Sequence, residues 1–242
     1  MTGKVSLKAV GVSLAFTAVI ALGMLNNPTQ VRANGEGGAE GEKARVLRGF
    51  AIAPVQLNLH NKDRELVGLG SYWVNAAMDC NGCHSSGPAN EYIVPTGNPY
   101  FLSPPFAGQQ EINPAAYLGG GRDFGPFPGD PFPSIPHLYS RNLTPDHTGR
   151  PAGGLTYEQF RDVFRHGVDF DHIHPSCNTG PGDPENCLVA PFNGDLLQVM
   201  PWPVYQNLTD HDLRAIYEYL KAVPCNPGPN IEGAPYLQNT CD

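Results

Sequence analysis

Residues 76–86 read AAMDCNGCHSS, with Cys80 and Cys83 three positions apart and His84 directly behind. On a helical turn, residues at i, i+3 and i+4 share one face, so two sulfurs and one imidazole can meet a single flat object. Three chemistries use paired cysteines at this spacing. A thioredoxin-like redox pair needs a surrounding βαβ pattern, which the chain lacks. A structural zinc site needs four ligands, and Cys177 and Cys187 are too far apart to imitate a second C-x-x-C pair. One covalently attached haem c meets the demand: its vinyl groups take thioether bonds from Cys80 and Cys83, and His84 reaches the iron as an axial ligand.

The second axial ligand emerges by elimination among four methionines. Met1 and Met24 belong to the N-terminal apolar segment, and Met78 lies two residues before Cys80, too close to cross to the opposite haem face. Met200 is left, in the stretch LLQVMPWPVY. Pro201 biases it toward extended backbone and Pro203 stiffens the chain beyond, so its sulfur stands on a rigid, non-helical arm. The competing reading is a methionine that fills a core gap.

Outward from this motif the chain alternates short amphipathic helices with long irregular loops. From Glu65 to about Cys80, Leu66, Tyr72, Trp73, Ala76 and Ala77 recur at helical steps and run into CNGCH. Residues 85–155 carry Pro, Gly and aromatic runs such as FGPFPGDPFPSIP, where repeated loss of amide donors forbids a long helix. LTYEQFRDVFRHG (155–167) is a helix with Thr156 as N-cap, Gln159 at N3, an apolar stripe of Phe160, Val163 and Phe164, and Gly167 as its stop. A second loop spans 168–199. LTDHDLRAIYEYLKAVP then gives a last helix, capped by Thr209, with Leu213, Ile216, Tyr217 and Leu220 on one face and Pro224 ending it. No internal repeat or strong strand pattern is present. The fold class is therefore mostly α, with long Pro/Gly-rich loop insertions.

Residues 1–33, with Lys4 and Lys8 before the apolar run AVGVSLAFTAVIALGML and small residues at VRA, read as a secretory signal peptide. An uncleaved N-terminal anchor is the alternative and the only membrane contact the sequence suggests. Export places the protein in the periplasm. Residues 34–64 are read as a flexible extension, led by the glycine-rich, charged NGEGGAEGEK. Without residues 1–33 the chain keeps 12 basic against 23 acidic residues, a net charge of −11. That sign argues against nucleic acid as a partner and points to a redox protein with a basic docking surface. The remaining cysteines allow three pairings, of which sequence neighbourhood favours Cys177 with Cys187 and Cys225 with Cys241. Free thiols are the alternative in each case.

Together these residues resemble a class I cytochrome c: Gly68 and Tyr72 precede CNGCH, and Tyr217 and Leu220 stand in the last helix. SRNLTPDHTG (140–149), GGLTYEQFRDVFRHGVD (153–169) and VMPWPVYQNLTDHDLRAIYEYLKAVP (199–224) are similar to the cytochrome modules of membrane-associated alcohol and gluconate dehydrogenases. The resemblance implies a cytochrome c domain over 65–224, electron transfer, and His84 and Met200 as axial ligands; the 225–242 tail beyond it is read, from the spacing of its cysteines, as closed by a disulfide. Two departures stand out. Those subunits carry three haem motifs where this chain has one C-x-x-C-H, and their modules pass quickly from the H-G-V segment to the methionine, whereas 33 positions separate Gly167 from Met200 here.

Smaller motifs have plainer readings. His172 and His174 in DHIH are placed on a solvated loop, since two imidazoles alone make a poor metal site. LGGGRDFG (118–125) is a turn, having no following lysine or helix to complete a phosphate cradle. Arg122 and Arg141 are candidate partners of the haem propionates. A six-coordinate iron leaves no open position, so the function expected is a monohaem electron carrier rather than an enzyme, with no catalytic residue. The alternative is a haem enzyme, peroxidase-like or acting on small molecules, whose distal position is open or labile.

Overall fold

The computed structural model describes residues 35–101, 110–126, 137–178, 183 and 187–242. Their element order is α1 (Gly35–Ile52), α2 (Arg64–Tyr72), a π-helical turn (Trp73–Ala77), α3 (Cys80–Cys83), α4 (Pro88–Glu91), β1 (Asp123–Pro126), β2 (His137–Tyr139), α5 (Pro151–Gly154), α6 (Tyr157–His166), α7 (Trp202–Tyr205) and α8 (Asp210–Leu220). A short 3-10 turn, Pro235–Leu237, comes last. The signal-peptide reading of 1–33 lies outside the described residues, and among those described no helix is long and apolar enough to cross a membrane.

The frame is built where helices cross through glycines. Asp63 caps α2 by accepting from the amides of Glu65 (2.9 Å) and Leu66 (3.2 Å). Within α2, Gly68 and Gly70 serve two neighbours. Gly70 lies against the Ala215 carbonyl of α8, where any side chain would collide with backbone. Gly68 lies under Val46 and Phe50 of α1, and Gly49 of α1 faces the Gly68 carbonyl just as closely. Around the α2–α8 crossing, Val67, Val74, Leu213, Ile216 and Leu220 are buried.

Polar groups inside this core are paired with one another. Tyr117 Oη donates to Asn75 Oδ1 (2.5 Å) and lies 2.7 Å from Tyr219 Oη, while Asn75 Nδ2 donates to Tyr219 Oη (3.1 Å) and to the Ser71 carbonyl (3.0 Å). Ser71 Oγ then donates to the Gly49 carbonyl at 2.7 Å. A satisfied network of this kind locks the π turn, α1 and α8 to one geometry, because breaking any member strands a buried donor or acceptor.

Three sequence expectations change at this level. The extension at 34–64, expected to be flexible, contains α1, whose C-terminal half docks on α2. Its signal is hidden because glycine contacts, rather than a stripe of large apolar residues, make the joint. The helix expected to run unbroken from Glu65 to Cys80 instead widens into the π turn and stops at Asp79, whose φ of 49° is left-handed. This break re-aims α3 and its two cysteines. Finally, the Pro/Gly-rich region contains a two-stranded antiparallel ribbon, β1 with β2, where only irregular chain was expected.

The caps of α6 and α8 agree with the sequence reading. Thr156 and Gln159 form a reciprocal capping box, and Gly167 ends α6 in the left-handed conformation with φ of 70°. Thr209 caps α8, and Asp212 closes a second capping box there. Both expected disulfides are present, Cys177–Cys187 and Cys225–Cys241. The second staples the tail beneath a loop: Asn226 N donates to Thr144 Oγ1 (2.9 Å), Asn142 Nδ2 to the Asn226 carbonyl (2.8 Å) and Asn239 Nδ2 to the Thr144 carbonyl (3.0 Å).

Candidate cofactor site

One cavity gathers the residues singled out by sequence. Cys80, Cys83, His84 and Met200 all line it, and most of the rest of its wall is apolar, including Leu155, Phe160, Phe164, Ile216 and Leu220. Elements far apart in sequence make the wall: α3 brings the thiols, α6 and α8 the apolar surface, and the arm before α7 the methionine.

His84 is held by backbone on both sides. Its Nδ1 is 2.8 Å from the Arg141 carbonyl, and its own carbonyl accepts from the amide of Gly120 at 2.9 Å. A carbonyl only accepts, so Nδ1 carries the proton and Nε2 keeps its lone pair. That is the tautomer a metal-ligating histidine requires, with its orientation fixed by a group that is not itself a ligand. Burial pushes the imidazole pKa down, keeping the ring neutral. The Arg141 carbonyl is in turn braced by the Asn142–Thr144 turn and the tail that staples it. SRNLTP thus positions the histidine through its backbone, a role that residue type alone does not announce.

The thiols are not built for redox exchange. Burial first, then the charges of Asp79 and Cys83, push the Cys80 pKa up to about 12, whereas a reactive thiol needs a depressed value. Among the described residues Cys80 and Cys83 are the free cysteines, and they do not bond each other. Two sulfurs one helical turn apart, an imidazole with a free Nε2 and a thioether on a shared apolar wall form the donor set that a covalently bound haem takes.

The Met200 arm is set by α6. Gly167 lies directly against the Trp202 indole, with no room for a side chain, and its carbonyl accepts from the amide of Leu197 at 2.7 Å. Trp202 Nε1 also donates to the Leu197 carbonyl (3.0 Å), pinning the arm on both sides of Met200. Met78 lines the cavity as well, so both methionines outside residues 1–33 reach it.

The described part of 168–199, a segment whose role the sequence leaves open, folds back on itself and lines the cavity. The amide of Asp169 donates to the Asp195 carbonyl (2.9 Å), that of Leu188 to the Pro175 carbonyl (2.7 Å) and that of Cys177 to the Leu188 carbonyl (2.8 Å). The two histidines expected on a solvated loop part company here. His172 is exposed and near Asp195, whereas His174 is half-buried and lines the cavity with Met200. Two residues apart they would share a face in extended chain, but His172 takes a left-handed backbone, φ 46°, which turns the chain there.

The two arginines also divide. Arg141 lines the cavity and pairs with Asp171 of the folded-back segment. Arg122 donates to the Gly82 carbonyl between the two cysteines and lies over the Phe124 ring at 5.0 Å. The stretch 118–125, expected as a turn, is not one throughout: Gly120 and Gly121 stand at positive φ in irregular chain, and its end is the start of β1.

No family model matches this chain, and no solved structure does. Two curated proteins are similar to it. The fructose dehydrogenase cytochrome subunit of Gluconobacter japonicus is 24% identical over 174 residues, 72% of this chain and 24% of that protein. The gluconate 2-dehydrogenase cytochrome c subunit of Pantoea cypripedii is 32% identical over 83 residues, 34% of this chain and 14% of that protein. The chain thus spans a quarter or less of the curated relatives it matches. It is a distant relative of dehydrogenase cytochrome subunits, which is consistent with electron transport, a haem and a redox partner.

Proposed function

We propose that this protein is an exported, periplasmic c-type cytochrome with a cytochrome c fold, which carries single electrons on one covalently bound haem to or from a dehydrogenase or another redox protein. The observation that carries this reading is the convergence of Cys80, Cys83, a neutral His84 with its Nε2 free, and Met200 on one apolar cavity. Bound there, the haem supplies a ferric–ferrous couple. Cys80 and Cys83 would anchor it, His84 and Met200 would ligate its iron, and the apolar wall would exclude water. A thioether favours the ferrous state and so raises the potential relative to a second histidine.

Carbon monoxide titration of the reduced holoprotein tests this. Wild type binds slowly and incompletely, because Met200 must be displaced. Met200→Ala keeps its haem through denaturing electrophoresis, loses the methionine-to-iron charge-transfer band in the far red, and binds carbon monoxide rapidly. Rapid, complete binding by the wild type would instead establish a haem enzyme with an open position.

A second reading rests on His174, which shares the cavity wall. With His174 as sixth ligand in place of Met200, the wild type lacks the charge-transfer band and His174→Ala, not Met200→Ala, opens the iron. With Met200 as ligand, His174→Ala leaves the band intact.

A further inference from the structure

The segment that delivers Met200 also carries a group of exposed apolar side chains. Of the seven large apolar side chains exposed among the described residues, Val189, Phe192, Val199 and Val204 fall here. Pro191, Pro201 and Pro203 are exposed between them. Phe192, Val199, Val204 and the three prolines border a shallow groove, and Val199 and Met200 line both this groove and the cofactor cavity. Scattered apolar residues are ordinary on a surface, but a contiguous group of them marks a contact site.

Charge points the same way. The chain carries a net charge of −8, yet between Cys187 and Thr209 the sole charged side chain is Asp195. Charge depletion around exposed apolar and aromatic residues is what distinguishes the centre of a protein interface from its rim. An electrostatic docking face would need the reverse. The groove is also stiff, because Trp202 is packed on Gly167 and three prolines restrict its backbone, so little ordering cost opposes association.

We infer that the Val189–Val204 surface docks an electron-transfer protein through an uncharged, apolar face, in place of the acidic-to-basic docking that the overall charge suggests. The inference rests on the electron-transfer reading and names its partner by chemistry. A neutral, apolar face is the complement of this one, and seating there brings the partner beside Met200, where the cavity opens.

The test uses ferrous holoprotein and measures second-order electron transfer to two probes, a blue-copper protein with an uncharged apolar face and a basic c-type cytochrome. Hexaammineruthenium serves as a small reagent that needs no docking. With the blue-copper protein the rate is fast and nearly independent of ionic strength. It falls about tenfold or more in Val204→Glu and in Phe192→Glu, the size of one lost hot spot. Leu47→Glu, on an exposed apolar residue elsewhere, leaves it unchanged. All three variants keep the wild-type rate with hexaammineruthenium, which separates lost docking from a lost redox centre; failure of that exchange in the wild type would sink the electron-transfer reading itself. A strong salt dependence with the basic cytochrome, together with unaffected Val204→Glu and Phe192→Glu rates for both proteins, would overturn the inference. So would sedimentation showing a dimer that Val204→Glu dissociates, since the groove would then serve a second copy of this chain.

Discussion

Where α2 crosses α8, close contact is made by removing side chains: Gly70 lets one backbone touch another, and the large apolar residues around it seal the joint. Along 168–199 the chain contributes few buried residues. It is held instead by the Cys177–Cys187 bond and by backbone hydrogen bonds running between its two arms. Both regions face the cofactor cavity. The first can be rigid without a cofactor because its burial is its own, and the second relies on covalent and backbone ties that leave its side chains free to form a wall. Stability and site shape are therefore set in different parts of the chain.

The largest effect that would break this contrast is at the crossing. Gly70→Val drives a branched side chain into the Ala215 carbonyl, so the helices must separate. The expected loss is about 3 kcal/mol or more, since overpacking costs roughly 1–3 kcal/mol and here the obstacle is backbone. Denaturant unfolding of the variant measures it. A stability within about 0.5 kcal/mol of wild type would show that α2 and α8 are not a tight joint.

A smaller effect belongs to the folded-back segment. Cys177→Ser with Cys187→Ser removes a short covalent loop worth about 2–3 kcal/mol by chain entropy. Because the core lies elsewhere, the helical signal persists, while carbon monoxide binding by the reduced holoprotein accelerates as the cavity wall loosens. Unchanged ligand kinetics would mean that the backbone ties alone hold the wall.

Legibility in the sequence divides along the same line. α6 and α8 were readable to their caps, because Thr156, Gln159 and Gly167 act locally and the apolar stripes repeat at helical spacing. CNGCH and Met200 stand out in the sequence because few residue types offer that chemistry, and Cys80, Cys83, His84 and Met200 line one cavity. α1 was not readable, since its joint is two glycines on a polar background. Arg141 as the brace of His84 was hidden for a different reason: its backbone carbonyl makes the bond, and every residue has one. His174 was misplaced because a loop's inward and outward faces are set by ties such as Asp169 to Asp195, which no periodicity encodes.

The smallest expected effect lies at the seam between the two regions. Arg165, in the last turn of α6, donates to the Gln206 carbonyl and to Asp210 Oδ1 (2.8 Å), joining α6 to the start of α8 just beyond the Met200 arm. The hydrogen bond from Arg165, aided by the charges of Arg165 and Arg161, lowers the Asp210 pKa. A carboxylate whose folded value is depressed stabilises the fold above its unfolded pKa, roughly 3.9, and loses that contribution as pH falls through the lower folded value. Asp210→Asn should therefore lower the thermal midpoint slightly at neutral pH, with the difference from wild type closing below about pH 4. Asp210 is exposed and salt screens such pairs, so added salt should shrink the gap as well. A gap that persists unchanged into acid would assign the effect to packing at the α6–α8 junction rather than to charge, and the seam would then belong with the helical frame instead of with the segment that delivers Met200.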